Sequence, residues 1–580
     1  EKTDKDCPPG SAPALLGEVM KEVEAYRRAL TLGGIVLAAF LAACNDKPSP
    51  QDEGQSTSGT PSEQARTPHT LAVTHMPERQ DLVGPQACME CHPDAVADWQ
   101  ASHHAMANRP MDDALDREAF VPSQTVRESG VTYELTRRGG RYMMRVIGSP
   151  DEPIRDYPLV GVLAHTPLRQ YLIPTTDGRY QMTSVAYDPG KGDWFDVFAG
   201  EERLPGEWGH WTGQSMNWNA NCAYCHMTEF KKNLEPVDFT YASTWTHHGV
   251  GCAECHPGMD AHTRAARAGN PEGGIQTLSP EQILENCATC HSRRDQLTAD
   301  AFKPGDAYGD HFALALPDQP GLYYPDGQIR DEVFVHGSFQ MSRMGHAGVT
   351  CMDCHDPHTM RTVQPPTSNM LCMRCHETGL DEAPIIEPIA HSHHPADSIG
   401  NNCVSCHMPT TTYMQRDPRR DHGFHSPDPL MTRELGIPNA CTECHQEEGL
   451  DWSIEHAEEW YGEKLAASDQ RRRARVLHAA YEYEPGAPEA LLEIARQEEI
   501  PAWVATYTGL LGDYASSRPE VAAFLREMAT HADSRVRARA MRGLGMLREV
   551  PAELDAGLED PVREVRIAAA RAYADRGQTI

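Results

Sequence analysis

Hydrophobic and polar positions divide this 580-residue chain into stretches of different period. Residues 29–43 form an apolar run, interrupted only by Thr31, behind the basic pair Arg27-Arg28. Residues 45–86 are rich in Pro, Ser, Thr, Gln and Asp, too poor in apolar material to offset ordering entropy, and predict a disordered linker. Its typical span is about 35 Å. Alternation appears at 131–135 and 141–146, split by Arg138-Gly139-Gly140, and predicts a β-hairpin. Strand-like pieces at 170–173 and 179–187 extend it to a β-rich insertion over about residues 120–210. From 452 to 576 the period lengthens to that of amphipathic helices. Val536-Arg537 with Ala540 recurs 29 residues later as Val565-Arg566 with Ala569, and Asp560-Pro561 marks a predicted helix start. An all-α HEAT-like repeat domain is therefore expected over 451–580, with a plain helical bundle as the alternative.

Between these stretches the pattern is set by cysteine. Cys-x-x-Cys-His begins at Cys88, Cys222, Cys252, Cys287, Cys351, Cys372, Cys403 and Cys441. The second cysteines are Cys91, Cys225, Cys255, Cys290, Cys354, Cys375, Cys406 and Cys444. The histidines are His92, His226, His256, His291, His355, His376, His407 and His445. These motifs use sixteen of the eighteen cysteines. A lone Cys-x-x-Cys also suits zinc, thiol redox chemistry or a disulfide. Eight copies, each followed by His, predict eight covalently bound c-type haems, the cysteines holding the macrocycle and the histidine ligating iron. Seven of the motifs lie within 224 residues, which leaves room for short helices, loops and haem rather than an ordinary hydrophobic core. An octahaem cytochrome c domain is expected over 87–450. The fold class is then a multihaem cytochrome c, mostly α and loops around stacked haems with a small β-rich insertion, followed by the helical repeat domain.

Composition narrows the partners. A net charge of −32 argues against nucleic acid and suits a redox protein that docks basic partners, or simply a solvated acidic face. An electron-carrying haem fills both axial positions and a catalytic one keeps a face open. Twenty-one histidines stand outside the motifs. Of those crowded near them, His103, His358, His393 and His394 are expected as second ligands. No Walker loop or Rossmann glycine fingerprint is evident.

The basic pair and Leu41-Ala42-Ala43-Cys44 predict an export signal over 1–44, whose apolar run over 29–43 is too short to span a membrane. Met20 is the expected true start, with 1–19 an overrun. Leu-Ala-Ala-Cys resembles a bacterial lipobox, which implies a lipid anchor on Cys44 and a periplasmic or cell-surface location. Gly321-Leu322-Tyr323-Tyr324-Pro325-Asp326-Gly327-Gln328-Ile329, His336-Gly337-Ser338-Phe339-Gln340, and the run from Gly348 to His358 resemble a family of bacterial multihaem cytochromes. Asn401 to Pro409, Tyr413-Met414 and Pro438 to Cys441 fit the same family, as do Cys290 to Arg294 and His210-Trp211-Thr212. Its members join a cytochrome c-554-like haem domain to TPR or HEAT-like repeats, and it is distantly similar to octahaem hydroxylamine oxidoreductases. The resemblance implies electron transfer in a respiratory chain, between donor and acceptor cytochromes or a quinol-oxidising complex. Its alternatives are an oxidoreductase acting on a small nitrogen or sulfur oxyanion at one five-coordinate haem, and a repeat-mediated scaffold. Related nitrite reductases replace one motif histidine by lysine, and no such motif occurs here.

Overall fold

The computed structural model describes residues 76, 84–148 and 154–577, and these fall in one compact unit. The predicted signal, Cys44 and most of the linker lie outside the described residues. Among those described, 22 α-helices accompany six small sheets, and no helix is long and apolar enough to cross a membrane.

The predicted hairpin is present within a two-sheet insertion. Strands β1 (Asn108–Pro110), β2 (Gln124–Glu128), β3 (Val131–Arg138), β4 (Arg141–Ile147), β5 (Arg155–Leu159), β6 (Gly161–Leu163), β7 (Arg169–Pro174), β8 (Tyr180–Asp188) and β9 (Asp193–Asp196) follow in order. They form antiparallel sheets β2-β3-β4-β5 and β1-β6-β7-β8-β9. Between β3 and β4, Gly139 and Gly140 take φ of 57° and 79°, the left-handed pair that a two-residue hairpin turn requires. That turn pairs Arg138 with Arg141 and sets Leu135 opposite Met144, both fully buried. The core between the sheets is aromatic: Phe120 meets Tyr142, Tyr171 and Trp194 edge-on at 4.8–5.2 Å. Asp116, fully buried, is paid for by a bidentate bond from Arg109 at 2.7 Å.

In the motif region the helices are short. Three-residue spacing puts both cysteines on one side of a single turn, and the histidine N–H closes that turn on the first cysteine carbonyl at 2.8–2.9 Å in the motifs of Cys88, Cys252, Cys351 and Cys441. The helix Pro280–His291 is the long exception, with proline at its first position and a capping box between Ser279 and Gln282.

Eight helices run from Gly449–Ala466 to Arg563–Asp575. The 29-residue correspondence reappears as contacts. Arg537 donates to the carbonyls of His531 and Ala532, and Arg566 to those of Asp560 and Pro561, the same steps back along the chain. One expectation needs revision: the stretch between the fourth and fifth motifs does build an ordinary core, because it packs on this helical tail. Tyr308, Phe312, Leu316, Tyr323 and Val333 are buried in one cluster with Leu491, Trp503, Leu511, Leu525 and Leu544. Trp503 Nε1 donates to the Met341 carbonyl at 3.0 Å, and Arg539 reaches Asp318 at 3.1 Å with both side chains almost fully buried.

Candidate functional site

One continuous cavity of about 3350 Å³ runs through the motif region. All sixteen motif cysteines and all eight motif histidines line it. Protein interiors pack as densely as organic crystals, so a hollow of this size is a cradle for bulky groups rather than a packing fault. Four pairs of motifs meet through their thiols: Cys88 with Cys252, Cys225 with Cys290, Cys287 with Cys351, and Cys372 with Cys403. Among the described residues no three His, Cys, Asp or Glu converge as a metal cluster of the zinc kind.

The histidines carry the sharper test. Six motif histidines each face a histidine from elsewhere in the chain: His92 with His262 at 6.2 Å between ring centres, His291 with His104 at 6.3 Å, and His256 with His358 at 6.0 Å. His355 faces His422 at 6.3 Å, His407 faces His391 at 5.9 Å, and His445 faces His394 at 6.1 Å. With metal–imidazole bonds of roughly 2 Å on each side of an iron, and each ring centre roughly 1 Å behind its nitrogen, two axial imidazoles stand about 6 Å apart. All six pairs fit, and all twelve histidines line the cavity.

The backbone fixes which nitrogen faces inward. Nδ1 lies within hydrogen-bond distance of a carbonyl in His226 (Ala107, 3.0 Å), His262 (Gly273, 3.1 Å), His376 (Pro384, 2.9 Å), His394 (Ser392, 2.6 Å), His407 (His425, 2.9 Å) and His422 (Arg420, 3.0 Å). A carbonyl can only accept, so Nδ1 carries the proton and Nε2 keeps its lone pair for a metal. Burial holds His104 and His291 down to about 4, with neighbouring histidines adding to the effect, so both imidazoles are neutral at pH 7.

Of the second ligands expected from sequence, His358 and His394 face motif histidines. His358 faces His256 of the third motif, not its own fifth. His103 instead bonds the Thr166 hydroxyl at 3.2 Å while its neighbour His104 takes the facing position. His393 stacks on Trp460 at 4.3 Å while His391 faces His407. His262 and His422 complete the set. In each crowded cluster the fold sets some rings opposite motif histidines and turns an adjacent ring aside. Among the described residues no second histidine ring is paired with His226 or His376; His69 and His75 lie outside those residues.

Residues 87–129 and 209–257 match the family model described as cytochrome c554 and c-prime. No curated protein matches the chain significantly. A solved structure, the outer cell wall cytochrome OcwA, aligns with a TM-score of 0.43 at 17% identity over 79% of this chain and 99% of that one. The family match contains the first three Cys-x-x-Cys-His motifs and five more follow it, so the chain is a multihaem c-type cytochrome.

Proposed function

We propose that this chain is an exported octahaem cytochrome that passes electrons along its own length in a respiratory chain. The observation that carries the reading is the set of six facing histidine pairs at 5.9–6.3 Å, which suit six haems with both axial positions closed. Bound haem c supplies the one-electron iron couple. The chain supplies contact between neighbours. Beyond the four thiol contacts, Cys255 lies near Cys287, Cys354 near Cys375 and Cys406 near Cys441. Together these join all eight motifs in one branched series, the second branching from the fourth. Closed axial positions keep water and small ligands off the iron, and the tail packs on apolar residues between the fourth and fifth motifs. An acidic surface favours basic redox partners, and Cys44 is the expected lipid anchor at a periplasmic or cell-surface membrane.

A second reading rests on the two motif histidines that face no second histidine ring among the described residues. His226 and His376 would leave an open face, where a small nitrogen or sulfur oxyanion could bind as substrate. The experiment is carbon monoxide and nitrite titration of the purified protein, read by difference spectroscopy. Binding at about two of eight haems supports a carrier with catalytic ends. No binding leaves the carrier alone, and binding at most haems removes the axial-pair reading. Replacing Cys44 by serine should release the protein from membranes with its haem content intact; continued membrane retention would count against the anchor.

A further inference from the structure

The helix Gly449–Ala466, first of the tail, turns a row of rings toward the cavity: Trp452, His456, Trp460 and Tyr461. The first three are four residues apart, so they lie one above another on a single helical face. His456 packs on Trp452 at 4.0 Å and meets Trp460 edge-on at 5.5 Å. Its Nδ1 lies 2.9 Å from the Trp452 carbonyl, which locks the middle of the row. At one end Trp452 lies 4.6 Å from the motif histidine His445. At the other, Trp460 stacks on His393 at 4.3 Å with the planes 7° apart, and Tyr461 stands 5.7 Å from both His391 and His393.

We propose that this aromatic row is a positioning device for the last two axial pairs, His445 with His394 and His407 with His391, and that Trp460 keeps His393 from competing with its neighbours. The inference rests on reading those pairs as axial ligands. Three histidines within four residues, His391, His393 and His394, all begin within reach of the same two motifs, so something must choose among them. His393 closes the helix Pro388–Ser392 as its left-handed cap at φ 58°, its N–H donating to the Ile389 carbonyl, so the chain turns between His391 and His394. Its ring stacks on the Trp460 indole, and His393 does not line the cavity that His391 and His394 line. At the other end, His445 Nδ1 lies 3.8 Å from the Glu448 carboxylate, longer than a hydrogen bond, so the Trp452 face is the firmer constraint on that ring. The two pairs are also set differently: the His391 and His407 planes are 17° apart, those of His394 and His445 45° apart.

The angle between axial imidazole planes sets the g-values of a low-spin ferric haem, which gives a readout that stability alone does not move. The full-length haem-loaded protein is compared with Trp452→Leu, Trp452→Phe and Trp460→Leu by EPR, with covalent haem counted by intact mass. Trp452→Leu should shift one low-spin signal, Trp452→Phe should largely restore it, and Trp460→Leu should alter a different signal as His393 is freed, all at unchanged haem count. Unchanged signals in both leucine variants, or lower stability with unchanged spectra, would overturn the proposal while leaving the axial pairs intact. If Trp452→Leu fails to fold, the Trp460→Leu spectrum decides alone. A wild-type protein lacking low-spin histidine–histidine signals would instead remove the reading on which the inference rests.

Discussion

Replacing His358 by alanine removes the ring that faces His256 across 6.0 Å. The expected outcome is one haem converted from low to high spin, newly able to bind carbon monoxide, with covalent haem unchanged. If spin state and carbon monoxide binding both stay as in the wild type, the pairing of these two histidines is wrong. A second single-residue test concerns pH. Burial pushes the Asp533 carboxyl up, but the Arg535 guanidinium at 2.6 Å and the Arg535 backbone N–H outweigh it and hold the group at about 2, below its ordinary 3.8. A depressed carboxylate stabilises the fold above its unfolded value, and that contribution is lost as pH falls through the folded one. Asp533→Asn should therefore cost about 2 kcal/mol at pH 6, with the difference from wild type vanishing near pH 2. A denaturation difference that is flat across this range would contradict the assignment. At this scale the sequence was legible where chemistry demands local spacing. Both thioethers and the first axial ligand come from five consecutive residues, so every motif could be read directly. The second ligand comes from wherever the fold brings a ring: His256 and His358 are 102 residues apart, and His104 and His291 are 187 apart. Nothing local separates His103 from His104, or His393 from His391.

Elements were legible in proportion to how far they stabilise themselves. The Arg138-Gly139-Gly140 hairpin was, because two left-handed residues between alternating strands leave few other conformations. The last helix was placed two residues early. Asp560 does not cap it by preceding it directly: its carboxylate accepts from Val562 N–H at 2.8 Å and pairs with Arg537 of the helix Ser534–Leu544, and the last helix begins at Arg563. A tertiary ion pair moved a boundary that local rules set at the proline. The helix Pro501–Leu511 gives the test of how tail and motif region join. Trp503 is 2% exposed, packs against Gly327 and donates to Met341. Trp503→Ala should lower stability by about 3–5 kcal/mol in urea denaturation. A loss below about 1 kcal/mol would mean that the two regions are packed only loosely there.

For the whole molecule, the boundary expected near residue 450 is crossed by one apolar cluster. It could not be read from sequence because the cluster joins residues 308–341 to residues 477–573, and neither side shows the other's register. Removing residues 467–580 should expose Phe312, Leu316, Tyr323 and Val333, and yield protein that aggregates or is rapidly cleaved between the fourth and fifth motifs. A truncated protein with full haem content and unchanged protease resistance would restore an independent tail. The cavity itself was legible only as a shortage, since seven motifs in 224 residues leave little apolar chain to fill the space between them. Its histidine pairs turn that shortage into a number. The most direct measurement of the account is quantitative EPR and magnetic circular dichroism on purified protein whose covalent haem has been counted by intact mass. Eight haems are expected, at least six of them low-spin with two axial histidines. Seven or fewer covalent haems, or a majority of high-spin iron, would contradict it.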